Sequence, residues 1–193
     1  METFYSIQGE GFYAGRAAFF IRIAGCDVGC VWCDVKESWD KNLHKTVQVA
    51  NLIEEVKNSK TDFVVLTGGE PAMYDLTFLT QELKKINVEI AIETSGAYPL
   101  IGNFDWITLS PKKFKKPVDS VISQANELKI IVFNKSDFDW AESYAKQVNS
   151  TCKLFLQTEW EKKEEIYPKV FDYILTNPKW KISVQIHKYL GVD

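Results

Sequence analysis

Apolar segments recur along the chain, and several of them run continuously instead of alternating with polar residues. Continuous runs of this kind are typical of parallel strands that are covered on both faces. They predict seven strands, at 17–24, 63–67, 88–93, 106–109, 128–133, 154–157 and 182–186. We therefore expect a sheet that is mostly parallel and largely buried.

Helical patterns lie between these predicted strands, with apolar residues at every third or fourth position. This spacing places the apolar side chains on one face of a helix. It predicts four helices, at 46–58, 75–86, 136–148 and 164–175. Thr46 is a candidate N-cap of the first helix, and Pro168 is expected to disturb the first turns of the last. Strands that alternate with helices predict an α/β fold, with the sheet either open or curled into a barrel.

The residues that follow the predicted strands are unusual for simple turns. In α/β folds, ligands bind where the parallel strands end. Cysteine, glycine, acidic, hydroxyl and amide residues stand at these places, at Cys26, 67–71, 93–96, 110–112, Gln157 and 185–188. The order of residues thus predicts a binding site at one edge of the sheet.

Length and charge limit the possible functions. The chain has 193 residues, 46% of them hydrophobic, which suits one domain with a sizeable core and is too short for two ordinary domains. A net charge of -3 argues against a general binder of nucleic acid or membrane surfaces. No secretory signal pattern stands at the N-terminus, and no apolar run approaches the ~18 residues of a membrane span. We expect a cytoplasmic protein with a small-molecule partner.

Three of the four cysteines, Cys26, Cys30 and Cys33, fall within eight residues directly after the first long strand. In a reducing compartment, such a cluster indicates metal binding or catalysis and not disulfides. Soft thiolates select iron–sulfur clusters, zinc or copper(I), and three of them leave one position of a four-coordinate site open. Cys152, alone before an apolar run, is expected to be an inert buried thiol.

The segment Gly-Gly-Glu-Pro at 68–71 follows the next predicted strand. Two glycines let the backbone approach a ligand, although such a segment alone is more often a simple turn. Together with the cysteine spacing it resembles the radical S-adenosylmethionine (SAM) superfamily. The resemblance implies a reduced, partial (β/α) barrel with mostly parallel strands, spanning 1–193 as a single domain. It also implies a 4Fe-4S cluster on the three cysteines, with SAM on the fourth iron.

The same resemblance implies a set of SAM contacts. Glu70 and the carbonyls of Gly68 and Gly69 would hold the ammonium group of SAM, and Trp32 would pack on its adenine. Further contacts would come from Ser95, Ser110, Lys112 and Gln157. The cluster would donate one electron to SAM, and the resulting 5′-deoxyadenosyl radical would take hydrogen from a substrate. Without the resemblance, the lysine-rich segment 112–116 would be typical of a solvated loop.

Segments near both ends narrow the resemblance. Phe-Tyr-Ser-Ile-Gln-Gly-Glu-Gly at 4–11, Arg22, and Gln-Ile-His-Lys-Tyr-Leu-Gly at 185–191 resemble the 7-carboxy-7-deazaguanine synthase family. Its members convert 6-carboxy-5,6,7,8-tetrahydropterin to 7-carboxy-7-deazaguanine, with ring contraction and loss of ammonia, in the biosynthesis of queuosine and other 7-deazapurines. The resemblance further implies SAM regeneration, a homodimer, and an external electron donor of the flavodoxin or ferredoxin type.

The substrate residues implied by this family suit a pterin. Gln8 and Glu10 offer paired hydrogen bonds to its edge of donors and acceptors. Arg22 offers a planar fork for the substrate carboxylate, and His187 can bond a ring heteroatom or that carboxylate. The full implied set is Gln8, Glu10, Gly11, Arg22, Thr67 and His187.

The sequence departs from the family after the last cysteine. The family commonly has a threonine near a bound magnesium ion, where this chain has Val35. Valine offers no oxygen, and Mg²⁺ prefers oxygen ligands. Substrate, water or backbone oxygens, or the side chains of Asp34, Glu37 or Ser38, could hold the ion instead. The magnesium ligand is therefore unassigned, with Asp34 as a candidate.

Two other functions fit parts of the pattern. An activase that makes a glycyl radical on a partner enzyme would share the cysteines and the Gly-Gly-Glu-Pro segment, but it has no need for Gln8, Glu10, Arg22 and His187. A non-catalytic zinc module would use the three cysteines and His44. Structural zinc sites usually combine two separated ligand pairs, which disfavours that reading.

Overall fold

A computed structural model describes residues 1–192, and Asp193, the last residue of the predicted domain, lies outside the described residues. The described strands form one eight-stranded sheet. They are β1 (Glu2–Ile7), β2 (Ala17–Ile23), β3 (Phe63–Gly68), β4 (Glu89–Thr94), β5 (Trp106–Leu109), β6 (Glu127–Val132), β7 (Lys153–Thr158) and β8 (Trp180–Ser183).

The strands lie side by side in chain order. β1 pairs with β2 antiparallel, and every later neighbour pair from β2 to β8 is parallel. The two outer strands of this described sheet, β1 and β8, do not pair with each other, so the barrel is not closed. The prediction of a partial (β/α) barrel with mostly parallel strands is confirmed.

Six α-helices lie between and after the strands in the described part of the chain. They are α1 (Val49–Ser59), α2 (Thr77–Lys85), α3 (Asp119–Gln124), α4 (Ser136–Ala145), α5 (Lys163–Thr176) and α6 (Ile186–Leu190). The prediction that Thr46 caps the first helix is wrong, because α1 begins after Gln48, which makes no side-chain cap bond. Helix α5 runs through Pro168 without ending there. No helix among residues 1–192 is long and apolar enough to cross a bilayer.

Four elements, β1, α3, α6 and β8, differ from the pattern-based prediction. β1 escaped prediction because it is a half-exposed edge strand with no continuous apolar run. α3 and α6, of six and five residues, are too short to show helical periodicity. The last strand ends at Ser183 and not at Ile186, because the Ile186 amide donates to the Gly9 carbonyl at 2.9 Å and begins α6.

Both faces of the sheet are buried along its apolar part, the outer face under the helices and the inner face on the concave side. Side chains alternate along each strand, so Val64 and Leu66 pack under the helices while Phe63 and Val65 point to the concave side. All four are 0% exposed, as expected for strands covered on both faces.

Toward the carboxyl ends of the strands, the inner face changes from apolar to polar. The same alternation that places Ala18, Phe20, Phe63, Val65 and Ala91 inside also places further residues there. These are Arg22 on β2, Thr67 on β3, Glu93 on β4, Lys129 on β6 and Gln157 on β7. The lower half of the concave face is therefore a core, and the upper half is a site.

Candidate active site at the carboxyl ends of the strands

A cavity of about 240 Å³ opens where the parallel strands end. Its walls come from the loops after β2, β3, β4 and β5 and from the inner faces of β6 and β7. Thirteen of the residues expected to bind cluster, SAM or substrate line it: Glu10, Cys26, Cys30, Trp32, Cys33, Thr67, Gly68, Gly69, Glu70, Ser95, Ser110, Lys112 and Gln157. Residues far apart in the sequence thus share one cavity.

The cysteine loop leaves β2 and lies against this cavity. Its start is held by backbone bonds to the segment after it, from the Gly25 amide to the Ser38 carbonyl at 2.6 Å and from the Cys26 amide to the Trp39 carbonyl at 3.2 Å. Cys30 is buried, and Cys26 and Cys33 are partly buried. None of the three forms a disulfide. All three thiols remain available as ligands.

The donor set suits an iron–sulfur cluster better than a single metal ion. No group of three or more His, Cys, Asp or Glu side chains among residues 1–192 converges to hold one ion. A structural zinc ion needs its ligands to meet at one point. In a 4Fe-4S cluster each thiolate binds a different iron, so three sulfurs spread around one cavity are compatible with it. His44 is also engaged elsewhere, with its Nε2 2.8 Å from the Glu37 carbonyl.

Burial sets the protonation of the groups around the cysteines. It raises the pKa of the Cys26 and Cys30 thiols, so iron binding must displace their protons. Burial also lowers the pKa of Lys112 to about 8. The Lys112 ammonium donates to Ser110 Oγ at 2.7 Å and lies 5.8 Å from the centroid of the Trp32 ring. The first lysine of segment 112–116 is therefore part of the cavity wall and not of a solvated loop.

Gly68 and Gly69 sit where side chains would not fit. Gly68 has a φ of +135°, and a Cβ there would lie 2.1 Å from the Ile23 carbonyl oxygen. A Cβ on Gly69 would lie 2.4 Å from the Gly25 carbonyl oxygen and 3.0 Å from Cys26 Cβ. The Gly69 amide donates to the Ile23 carbonyl at 2.8 Å. The two glycines therefore let the end of β3 pack directly on the start of the cysteine loop.

Glu70 is 1% exposed and holds the ends of β3 and β4 together. Its Oε1 accepts from the Ala72 amide at 3.0 Å and from Thr94 Oγ1 at 2.5 Å. Its Oε2 accepts from the Ser95 amide at 2.8 Å and from the Ser95 hydroxyl. The carboxylate thus positions Ser95, and its contact with SAM stays a prediction.

A second cleft continues from the cavity and shares Glu10, Thr67 and Glu93 with it. Four of the expected substrate residues line this cleft besides Thr67: Gln8, Glu10, Arg22 and His187. Gln8 donates from Nε2 to Glu93 Oε1 at 2.8 Å. His187 lies on α6, and burial lowers the pKa of its imidazole. The cleft therefore brings both ends of the chain to the edge of the cavity.

Arg22 lies on the inner face of β2, beside Thr67 of β3. Its Nε is 2.8 Å from Glu2 Oε1, but the N–H is not directed at that oxygen. The Nε atom is buried and has no hydrogen-bond partner within the described residues. Buried polar groups are normally hydrogen-bonded, so a guanidinium that is ion-paired with Glu2 but lacks a well-directed hydrogen bond at Nε is a candidate to bind an anionic ligand in the cleft.

Gly11 lies below this cleft and not in its lining. Its φ is +66°, and its amide donates to Ser183 Oγ at 2.9 Å. A Cβ at Gly11 would lie 2.0 Å from Glu127 Oε1. The structure thus places Gly11 as a support of the β1–β2 loop, and direct contact with substrate stays a prediction.

Asp34 and Val35 follow Cys33 and line the second cleft, and Asp34 also lines the cavity. The Asp34 carboxylate accepts from Lys188 Nζ at 2.5 Å. Val35 contributes its carbonyl to the Ser38 hydroxyl at 2.6 Å. A magnesium ion at Asp34 would compete with Lys188 for the carboxylate.

Sequence reasoning missed Lys129 and gave no individual role to Gln185, which stands in the segment 185–188 that it placed at the binding edge. Lys129 lies inside the cavity, donates to Glu10 Oε2, and is 3.8 Å from Glu93 Oε2. Gln185 donates to Glu10 Oε1 at 2.8 Å. Glu127 lies on the same face of β6 outside the linings of the cavity and cleft, where it accepts from Trp106 Nε1 at 3.2 Å and burial raises its pKa to about 7. The sequence did contain a signal for Lys129. Glu127 and Lys129 stand two residues apart in the otherwise apolar strand β6, and this spacing places both side chains on one face of the sheet.

The chain matches the model of the radical SAM superfamily over residues 20–126. This is more than half of the chain, and with the fold and the cysteine loop it defines a radical SAM protein. Membership implies a 4Fe-4S cluster and SAM as cofactors.

Relatives over the whole chain narrow the family. A 7-carboxy-7-deazaguanine synthase of Flavobacterium psychrophilum is 55% identical over 193 residues, which are 100% of this chain and 91% of the relative. One of Synechocystis sp. is 52% identical over 191 residues, 99% of this chain and 91% of the relative. The crystal structure of QueE from Escherichia coli has a TM-score of 0.84 at 28% identity and covers 96% of this chain and 92% of that chain. The chain belongs to the 7-carboxy-7-deazaguanine synthase family.

The contact of Gly69 with the cysteine loop predicts the effect of Gly69→Ala. The added methyl group meets the Gly25 carbonyl and Cys26 Cβ, and overpacking of this kind costs about 1–3 kcal/mol. We expect less iron per chain than in the wild type after anaerobic reconstitution, measured by iron and protein analysis. Gly15→Ala is the control for backbone strain away from the cysteines: its φ of +89° makes alanine unfavourable, but nothing lies within 4 Å of its Cβ position, so iron per folded chain should stay at the wild-type value. Wild-type iron content in Gly69→Ala would contradict the described packing.

Proposed function

We propose that this protein converts 6-carboxy-5,6,7,8-tetrahydropterin to 7-carboxy-7-deazaguanine, with ring contraction and loss of ammonia, in queuosine or 7-deazapurine biosynthesis. The main observation in its support is that the cavity and the second cleft are adjacent and share lining residues. One holds the three cysteines and the Gly-Gly-Glu segment, and the other holds Gln8, Arg22 and His187. Names shared by relatives over the whole chain support the same activity.

The cavity residues fit a cluster and SAM. Cys26, Cys30 and Cys33 would hold the cluster, whose chemistry when bound is to supply one electron for the cleavage of SAM. Gly68, Gly69 and Glu70 would receive the ammonium group of SAM, and Trp32 would pack on the adenine. Ser95, Ser110, Lys112 and Gln157 are proposed as further SAM contacts. Their support is a shared place in the cavity wall.

The second cleft fits the pterin. We assign Arg22 to the substrate carboxylate, because its buried Nε lacks a hydrogen-bond partner within the described chain. Gln8 and Glu10 lie beside it and offer amide and carboxylate groups to the pterin edge. His187 and Thr67 line the same cleft. Gly11 supports the loop that carries Gln8 and Glu10.

Aromatic and aliphatic side chains enclose the cavity. Val28, Trp32, Trp39, Ile131 and Trp160 are among its lining residues. Reactive radicals must be kept from water and oxygen, and an apolar enclosure serves this purpose. Positioning and exclusion are therefore the tasks that this chain performs.

Several further properties are part of the proposal. We propose one radical SAM domain over 1–193, supported by the single sheet through the described residues. Magnesium would be held by substrate oxygens, with Asp34 as its side-chain candidate. An external donor of the flavodoxin or ferredoxin type is supported by the cysteine count, since the one cysteine outside the loop, Cys152, is buried and leaves no second set of thiolates. The homodimer rests on the family resemblance, and the cytoplasmic location stays a prediction from the sequence.

The two alternatives have less support. The relatives that match the whole chain are named as synthases, which favours small-molecule chemistry over a glycyl-radical activase. The described thiols do not converge on one ion, which disfavours a zinc module.

The proposed activity is tested with reconstituted protein, SAM, dithionite and the carboxypterin under anaerobic conditions. We expect 7-carboxy-7-deazaguanine by mass spectrometry from the wild type and none from Cys30→Ala, because loss of one thiolate leaves the cluster under-ligated. Cys152→Ala is the matched control, since this thiol lies outside the cavity lining. This variant should keep its turnover and the brown colour that an iron–sulfur cluster gives to a protein. A colourless, zinc-loaded wild type would refute the proposal.

Arg22→Lys tests the carboxylate assignment. A lysine cannot form the bidentate bond of a guanidinium, and a charge-assisted hydrogen bond contributes about 1.5–3 kcal/mol. We expect the KM for the carboxypterin to rise about tenfold or more, while reductive SAM cleavage without substrate is unchanged. Arg16→Lys serves as the control, because Arg16 pairs with Glu89 and Asp62 away from the cleft. An unchanged KM and rate in Arg22→Lys would show the assignment to be wrong.

A further inference from the structure

Lys129 is a buried ammonium group that neither the cluster nor the SAM contacts explain. Its side chain is 6% exposed and reaches from the inner face of β6 into the cavity. Lysine is almost never fully buried unless it is paired. The apolar residues of the same strand, such as Leu128 and Ile130, face the outer core instead. Lys129 therefore has a function on the concave side.

The contacts of Lys129 lead to the expected substrate residues. Its Nζ donates to Glu10 Oε2 and lies 3.8 Å from Glu93 Oε2. Gln185 donates to the other oxygen of Glu10 at 2.8 Å, and Gln8 donates to Glu93 Oε1 at 2.8 Å. One lysine thus joins two carboxylates, and two amides complete the group.

The joined carboxylates come from separate parts of the fold. Glu10 lies on the loop between β1 and β2, and Glu93 lies near the end of β4. Both line the cavity and the second cleft. A free carboxylate on a loop has many orientations, whereas a buried charge-assisted bond fixes one of them. Lys129 therefore determines which lone pairs of Glu10 face the cleft, whereas Glu93 is held by its hydrogen bond from Gln8, with the Lys129 charge 3.8 Å away.

We propose that Lys129 is a positioning residue that holds Glu10 as an oriented hydrogen-bond acceptor for the N–H edge of the bound pterin, beside Glu93, which Gln8 holds. This inference rests on the proposed function. The 2-amino-4-oxopyrimidine edge of a pterin carries adjacent N–H donors, and a fixed carboxylate accepts two of them side by side. A site built in this way rejects rings that lack those donors.

The charges around Lys129 favour this role over proton transfer. Burial alone would lower the pKa of Lys129, but the carboxylates of Glu10, Glu93 and Glu127 outweigh it and raise the pKa. A lysine that moves protons needs a pKa near the working pH. Lys129 keeps its charge and acts through the carboxylates that it binds.

The same pairing keeps Glu10 ionised. Burial alone would raise the pKa of Glu10, but Lys129, with help from Gln185 and His187, holds the pKa well below its usual range. Besides these groups, Glu93, Glu127 and Lys112 are the charged groups that face this pair. Because the pKa of Glu10 is depressed, its carboxylate stays an acceptor throughout the pH range from about 6 to 8.

Lys129→Met removes the ammonium and keeps a side chain of similar length. Burial then dominates, so the pKa of Glu10 rises and the carboxylate takes up a proton as the pH falls. We expect the Kd of the carboxypterin, as a ratio of variant to wild type, to be about tenfold or more larger at pH 6 than at pH 8. Calorimetry on cluster-loaded protein with SAM and no reductant measures this Kd without turnover. Dividing the Kd of Lys129→Met by that of the wild type at each pH removes the pH effects that the two proteins share.

Two further variants keep the test decisive. Lys179→Met removes an ammonium from Glu142 outside the cavity, and its Kd ratio should be independent of pH. The double variant Lys129→Met with Glu10→Gln removes both charges of the Lys129–Glu10 contact and leaves neither of them buried without its partner. It can therefore be measured even if Lys129→Met alone fails to fold. Its Kd should match that of Glu10→Gln alone, since Lys129 acts chiefly through Glu10.

The outcomes separate the two proposals. A ratio that is the same at pH 6 and pH 8, or a double variant much weaker than Glu10→Gln, overturns the role of Lys129 alone. A wild type that does not bind the carboxypterin at either pH overturns the proposed function, and the role of Lys129 with it.

Discussion

Parallel pairing in chain order is the constraint on which the site depends. From β2 to β8 each strand lies beside its predecessor in the sequence and points the same way, so all carboxyl ends meet at one rim. Three segments that are far apart in the sequence therefore meet at this rim. They are the cysteine loop after β2, the Gly-Gly-Glu segment at the end of β3 and the Ser95 turn after β4. Across the open edge between β1 and β8, the loop after β1 bonds to the end of the described chain, with the Ile186 amide donating to the Gly9 carbonyl and the Gly11 amide to Ser183 Oγ.

Buried polar groups give this rim its shape. Glu70 accepts four hydrogen bonds and ties the ends of two strands, and Lys129 ties Glu10 and Glu93. Buried charges are costly unless they are paired and hydrogen-bonded, so each group permits few alternative arrangements. By contrast, Arg22 Nε forms an ion pair with Glu2 but no well-directed hydrogen bond within the described residues, so the guanidinium is held less firmly than Glu70 or Lys129. The two kinds of group divide the site into a rigid frame and a ligand-binding part.

The sequence predicts the repeated parallel strands and the cysteine and glycine segments, because local composition and spacing carry these signals. Continuous apolar runs such as 63–67 could be recognised as strands covered on both faces. The pairing of Lys129 with Glu10 could not be recognised, because 118 residues separate them and only the curvature of the sheet brings them together. The strand β1 and the helix α6 were missed for a local reason, since an edge strand and a five-residue helix show no clear period.

The central claim is that three thiolates hold a cluster with one iron left for SAM. A crystal structure of the reconstituted protein, grown without oxygen and with SAM bound, tests it most directly. We expect irons bound to Cys26, Cys30 and Cys33, with the fourth iron contacted by the amino and carboxylate groups of SAM. A fourth iron bound by a protein side chain, or a single zinc ion on the cysteines, would contradict it.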